Sequence, residues 1–225
     1  MKQDKIFLNF EGDKWFERNK LSLIADENDI ILKLLNMYNI KPKKVLEVGA
    51  SNGYRLAKIY EKYKCRCVAV EPSKKAIKDG KKKFKFIKFI RGVASKMPLR
   101  DNSFDLVIVN FVFHWISRES LLKSVAEIDR VLQNYGYLII GDFFPCNYLK
   151  VKYHHLSLEK VYTYKQNYSE IFLHSGLYHL ICCITSSHGS TDLNVENNIN
   201  EKAGWSLLQK AVDNFYLEKP LKIYK

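Results

Sequence analysis

The stretch Val45-Leu46-Glu47-Val48-Gly49-Ala50-Ser51-Asn52-Gly53 limits the fold of this chain more than any other. An apolar strand runs into an acid and then into a loop bracketed by glycines. In an α/β sheet a buried first strand hands the chain to a helix through a tight turn, and glycine lets the backbone approach a ligand because no Cβ blocks it. Gly49 and Gly53 meet that need. About 20 residues further on, a second apolar run, Cys67-Val68-Ala69-Val70, ends at Glu71, where a carboxylate can accept hydrogen bonds from a ribose diol. Two strand-end carboxylates at this spacing imply an adenosine-type ligand.

The dinucleotide fingerprint G-x-G-x-x-G would need glycines at 49, 51 and 54, whereas the chain has Gly49, Ser51 and Tyr54. Two of the three glycines that admit a pyrophosphate and a close helix are missing, which disfavours a diphosphate cofactor. The surviving pattern, E-x-G-x-x-x-G, resembles motif I of class I S-adenosylmethionine-dependent methyltransferases. The resemblance implies S-adenosyl-L-methionine as cofactor, a loop that wraps its amino-acid half, and Glu71 on its ribose. Ser51 stands where that family usually has its middle glycine.

Three further segments carry the resemblance from Val45 to Asp142. Gly92-Val93-Ala94-Ser95-Lys96-Met97-Pro98-Leu99 resembles G-D-A-x-x-L-P-F, which passes the adenine ring. Here Val93 replaces the aspartate that would accept from the adenine amino group, leaving backbone groups around Ala94 and apolar packing. Phe104-Asp105-Leu106-Val107 resembles the "FDLV" fourth strand, and Arg130-Val131-Leu132 through Ile140 the "RVLKPGG" turn and fifth strand. Four motifs in the right order weigh more than any one alone. The cofactor-binding set is Glu47, Gly49, Ala50, Ser51, Gly53, Glu71, Pro72, Val93, Ala94, Asn110 and Phe111, and reading the N-terminal segment as a lid adds Arg18, to meet the cofactor carboxylate.

Strand and helix patterns alternate, which predicts a doubly wound, Rossmann-like and mostly parallel sheet. Residues 26–38 carry apolar positions at helical spacing, and helices are expected over 54–63, 73–82 and 117–132. Two apolar runs, 178–186 and 203–209, are separated by a polar loop with no helix for a crossover, so they predict a C-terminal antiparallel hairpin. The 225 residues are expected to form one domain: a helical lid over 1–40, a cofactor core over 41–142, a substrate-side insertion over 143–177, the edge hairpin over 178–209 and a tail over 210–225. No apolar run is long enough for a membrane span and the N-terminus lacks the apolar core of a signal peptide, so a cytoplasmic protein is expected. The five cysteines have neither metal-ligand nor disulfide spacing and read as reduced thiols.

Methyl transfer is an in-line displacement that alignment alone can accelerate strongly, and a base is needed only if the acceptor carries a proton. His114 is the best-placed base, where the chain leaves the carboxyl end of the fourth strand. The alternative is that His114-Trp115 packs on the cofactor or caps the next helix at Ser117. Asn110-Phe111-Val112-Phe113 compares poorly with the N-P-P-Y element of amino-methylating enzymes, since both prolines and the tyrosine are absent. The segment 7–19 is both aromatic and charged, suiting a lid in which Trp15 covers the donor pocket, or a surface helix anchored by Trp15 and Phe16. The substrate-binding set is Trp15, His114, Tyr153, His154 and Tyr164. Segments like 142–168 occur in bacterial methyltransferases associated with surface glycans, a resemblance that implies a small glycan-related or nucleotide-linked acceptor. Adjacent His154 and His155 lack a carboxylate or cysteine partner at metal spacing, so no metal is expected.

The net charge of +13 is concentrated over Lys74, Lys75, Lys78, Lys81, Lys82, Lys83, Lys85 and Lys88. This is either a site for an anionic partner or a solvated helix face. Only seven of the 37 basic residues are arginine, the residue suited to bidentate phosphate and base contacts, and that favours the solvated face. A small-molecule acceptor is therefore the expected partner rather than nucleic acid, and an anionic one if the lysine cluster serves it. Two rivals remain: a nucleic-acid methyltransferase with a basic face beside the cofactor mouth, and a non-catalytic S-adenosylmethionine-binding module. The chain alone does not fix the oligomeric state.

Overall fold

The computed structural model describes residues 3–24, 28–156, 158–212 and 216. Seven strands form the main sheet: β1 (Lys44–Val48), β2 (Arg66–Glu71), β3 (Ile87–Arg91), β4 (Phe104–Asn110) and β5 (Leu132–Phe143), then the late pair Tyr178–Ser187 and Lys202–Lys210. The first five are parallel in the order β3-β2-β1-β4-β5. β1 and β4 are covered on both faces by helices, so Val45, Leu46, Leu106, Val107, Ile108 and Val109 are all fully buried. That is why they read as unbroken apolar runs rather than alternating ones.

A small hairpin, β6 (Leu149–Lys152) with β7 (Tyr162–Lys165), interrupts the chain after β5. Counting on, β8 is Tyr178–Ser187 and β9 is Lys202–Lys210. β9 lies antiparallel between β5 and β8, and β8 forms the edge. The expected antiparallel pair is present, with bounds within a residue of the apolar runs.

The helices expected over 54–63 and 73–82 are present within a residue, whereas those expected over 26–38 and 117–132 begin four residues late, the second because Arg118–Ser120 forms a separate 3-10 turn. α1 (Gln3–Ile6) continues through a π-helical segment, Phe7–Glu11, into α2 (Gly12–Asn19). α3 (Ile30–Met37) is capped by Asp29, whose carboxylate accepts from the Ile31 amide at 2.9 Å, and it buries Ile30, Ile31, Leu34 and Leu35. Each such side chain contributes about 1.5 to 3 kcal/mol. Residues 25–27, where that helix was expected to begin, lie outside the described set, as does most of the 210–225 tail. α4 (Tyr54–Tyr63) follows β1, α5 (Lys74–Lys83) follows β2, α6 (Leu121–Val131) precedes β5, and α7 (Ser169–Leu173) precedes β8. The strand order reverses between β1 and β4, so a crevice opens outside their carboxyl ends, which is where open α/β sheets take ligands.

Candidate active site

A cleft of about 1280 Å³ lies at that crevice and reaches from the loop after β1 to the β6–β7 hairpin. At its cofactor end the backbone is bent tightly. Gly49 has φ +73°, and a Cβ there would meet the Val112 Cγ2 at 2.3 Å. Ser51 also takes a left-handed conformation, φ 50°, which costs a residue with a side chain about 1 kcal/mol or more. The Glu71 carboxylate offsets that strain: its Oε2 accepts from the Ser51 amide and its Oε1 from the Ser73 amide, both at 2.8 Å. Burial pushes the Glu71 carboxyl up to about 7, with the two amide contacts pulling the other way. Each oxygen retains a lone pair, and Glu71 lines the cleft.

Glu47 behaves differently. It is 1% exposed and pairs with the Arg55 guanidinium, beneath the loop rather than in the cleft wall. Burial pushes its carboxyl up to about 7 against the pull of Arg55. Arg55 also donates from Nε to Asp29 at 2.8 Å and from Nη2 to the Tyr54 hydroxyl at 2.9 Å. Among the described residues, Glu47 Oε2 and Ser51 Oγ are buried without a hydrogen-bond partner. A cradle that a Cβ would fill, the orphaned Ser51 oxygen and a strand-end carboxylate fit an adenosine ligand with a polar tail.

Of the residues singled out from sequence for the cofactor, Gly49, Ser51, Glu71, Pro72, Val93, Ala94, Asn110 and Phe111 line this cleft, while Glu47, Ala50 and Gly53 support it from behind. Arg18 is not in the wall. It donates to the fully buried Glu11 and, at 3.0 Å, to the Tyr153 hydroxyl, because the Arg18 face of α2 turns toward the β6–β7 hairpin. The arginine bordering the glycine loop is Arg55, in the first turn of α4. Its position directly after the loop was the available signal. Asn110 accepts from the Trp205 indole at 2.9 Å, a contact that passes Gly141, where a Cβ would stand 2.2 Å from the Asn110 oxygen.

The other end of the cleft is assembled from distant segments. His114 is 2% exposed, and its Nδ1 lies 2.7 Å from Asp142 Oδ1 at the end of β5. Asp142 also accepts from the His114 and Phe143 amides at 3.2 and 2.8 Å, so its two oxygens are committed to this turn. A carboxylate on Nδ1 assigns the proton to that nitrogen and leaves Nε2 with a lone pair. His114 therefore does not cap α6, and Asp142 is the partner that sequence reading passed over. Strand five places it: Asn110 pairs with Gly141, so the next residue of β5 lies beside the turn that leaves β4.

Above this pair sits an aromatic cover. The Phe7 ring stacks on Trp115 at 5.1 Å, Trp15 meets Trp115 edge-on at 6.1 Å, and Tyr153 packs against both Phe7 and Trp115. Gln3 fastens the first helix across it, donating to the Trp115 and Tyr162 carbonyls at 2.7 Å and accepting from the Tyr162 amide. Trp15, His114, Tyr153 and His154 all line the cleft. Tyr164 does not. Successive side chains of a strand alternate, so Thr163 and Lys165 of β7 face the cleft while Tyr162 and Tyr164 face away, where Lys150 lies over both rings. Every lysine of the 74–88 cluster is exposed and none lines the cleft; Lys75 pairs with Glu17 and Lys83 with Asp79. Among the described residues no cluster of three or more metal-ligating side chains occurs, and no helix is long and apolar enough to cross a membrane.

Comparisons with known proteins agree with this geometry. Residues 46–140 match the family model described as a methyltransferase domain. The YcgJ methyltransferase of Bacillus subtilis is 27% identical over 54% of this chain and 49% of its own length. The demethylmenaquinone methyltransferase of Renibacterium salmoninarum is 33% identical over 45% of this chain and 41% of its own. The chain thus spans half or less of the length of these relatives. Among solved structures, a Burkholderia thailandensis 1,6-didemethyltoxoflavin-N1-methyltransferase with bound 1,6-didemethyltoxoflavin and S-adenosylhomocysteine superposes with a TM-score of 0.70, covering 92% of this chain and 88% of that one at 13% identity. At that identity the match speaks to fold.

Proposed function

We propose that the whole chain acts as an S-adenosylmethionine-dependent methyltransferase on a small acceptor in the cytosol. One observation carries this reading: the Gly49–Glu71 end and the His114–Asp142 pair open into the same cleft. Bound there, the cofactor would supply an electrophilic methyl group on a positively charged sulfur. Glu71 would hold the ribose hydroxyls, and the turn at Gly49 and Ser51 would take the amino-acid half. The Burkholderia enzyme, which holds S-adenosylhomocysteine beside a small molecule, supports the pairing of a cofactor end with an acceptor end. Free thiols at all five cysteines suit a reducing compartment.

In this reading His114 Nε2 takes the acceptor's proton while Asp142 keeps the ring oriented and stabilises the imidazolium that forms. The aromatic cover, with Phe7 and Trp15 of the N-terminal helices as its lid, excludes water from the transfer. An acceptor with a ring face, such as a glycan-related or nucleotide-linked molecule, suits walls made of Phe111, Phe143 and Trp115. The exposed lysine cluster, absent from the cleft wall, argues against nucleic acid. Calorimetry against S-adenosylhomocysteine and NAD, followed by screening acidic metabolites with methyl-labelled cofactor, tests the proposal. Tight NAD binding with no response to S-adenosylhomocysteine would overturn it.

A further inference from the structure

Lys165 is 8% exposed, lines the cleft, and has no carboxylate within 4.0 Å of its Nζ among the described residues. Its ammonium donates to the Asn200 carbonyl at 2.6 Å and lies 3.9 Å from the centre of the Phe143 ring. An ammonium has three donors, and a buried charge without a counter-ion costs free energy that a ligand anion would recover. Burial holds the Lys165 amine below its ordinary value, with Glu201 and Asp142 opposing from beyond contact distance. Two residues earlier on the same face of β7, the Thr163 oxygen accepts from the Trp115 indole at 3.3 Å, which leaves its own O–H to donate. Phe143 ties this corner to the base: its ring centroid lies 5.1 Å from that of His114 and 4.9 Å from that of His188.

Resting on the methyltransferase reading, we infer that Lys165 and Thr163 form a subsite for a carboxylate of the acceptor, beside the proton that His114 removes. The charge balance selects a monoanion. One ammonium and one hydroxyl match the two oxygens of a carboxylate, whereas Asp142 and Glu201 nearby would repel a phosphate dianion. Arginine, the usual partner for a phosphate, does not stand at this corner. Phe111, Phe143 and His188 give the body of the ligand an aromatic wall, so the fitting class is a ring-bearing carboxylate.

The test uses the full chain loaded with S-adenosylhomocysteine and titrated by calorimetry with benzoate, with benzamide as the neutral isostere, and with phenyl phosphate. Benzoate is expected to bind more tightly than benzamide by about 10-fold or more, the size of a charged hydrogen bond. Lys165→Met should remove that difference and leave S-adenosylhomocysteine affinity unchanged, and Thr163→Val should reduce it about threefold. Equal binding of benzoate and benzamide to the wild-type chain would overturn the subsite, a result that does not depend on any variant folding. So would a benzoate preference that survives in Lys165→Met, and tighter binding of phenyl phosphate than benzoate would overturn the choice of a carboxylate. Failure of S-adenosylhomocysteine to bind at all would strike the methyltransferase reading, whereas its binding without benzoate discrimination strikes the subsite alone.

Discussion

The two ends of the cleft are built in opposite ways. The cofactor end is centred on two short stretches, 45–55 and 70–73, in which backbone amides, glycines and one carboxylate do the positioning, with 93–94 and 110–111 completing its wall. The acceptor end gathers side chains from residues 3–15, 114–115, 142–165 and the 188–201 connection. Contacts such as Gln3 with Tyr162 span 159 residues. An end made of local backbone geometry tolerates little change in any one residue but is fixed as soon as β1 and β2 pair. An end made of remote side chains can change its ligand one residue at a time, because its wall is held by packing and not by a single turn.

That contrast can be broken most sharply at the chemistry. If His114 is the base, His114→Ala should lower turnover of the identified acceptor by about 10²- to 10⁴-fold with little change in S-adenosylhomocysteine affinity. His114→Gln should be nearly as damaging, and Asp142→Asn should also slow turnover by releasing the Nδ1 proton assignment. A rate preserved in His114→Gln, with no histidine limb lost from the pH profile, would leave alignment as the whole mechanism.

Next in size is Gly49→Val at the other end. Its branched side chain would have to adopt φ +73° and displace Val112, so stability and cofactor affinity should fall together, by about 3 kcal/mol or more. Thermal melts and calorimetry report both. A stable Gly49→Val chain that still binds S-adenosylhomocysteine would show that the loop is not the rigid end.

Glu71 allows a smaller and pH-dependent test. Glu71→Ala should weaken S-adenosylhomocysteine binding by about 1.5 to 3 kcal/mol. The ribose donors need the ionised carboxylate, which burial resists until about pH 7. Wild-type affinity should therefore drop as pH falls through 7, by up to about tenfold per unit, and the Ala variant should lose that slope. Stability of the free chain should run the other way. A carboxyl with a raised folded-state pKa contributes stability that is present below its ordinary value of 4.5 and lost as pH rises through about 7. Relative to Glu71→Gln, the wild type should thus lose stability across that window in urea titrations. Equal slopes in the two chains would remove Glu71 from both roles.

The smallest effect is expected on the exposed face of α5. Replacing Lys78, Lys81 and Lys82 together with Gln should leave turnover nearly unchanged, since all three are exposed and absent from the cleft wall. Filter binding to RNA over a salt series should show only weak, sequence-blind association. Tight, selective and strongly salt-dependent binding that the triple variant loses would move the acceptor to nucleic acid.

The sequence by itself determined the sheet and its cofactor end. Buried parallel strands must be continuous apolar runs, a tight turn must take glycine, and a carboxylate at the end of strand two lies next to that turn in any sheet of this order. Those constraints are local, so Val45–Gly53 and Glu71 were legible in one pass, down to the antiparallel pair at residues 178–210. Only the tertiary structure decided the acceptor end. Asp142 reaches His114 through the β4–β5 register, Tyr164 turns away while Thr163 and Lys165 turn in because of where β7 lies, and Arg18 is taken up by Glu11 while Arg55 borders the loop. The His114–Asp142 contact and the facing of β7 do not follow from spacing along the chain, because each depends on which face of one element meets a residue many positions away.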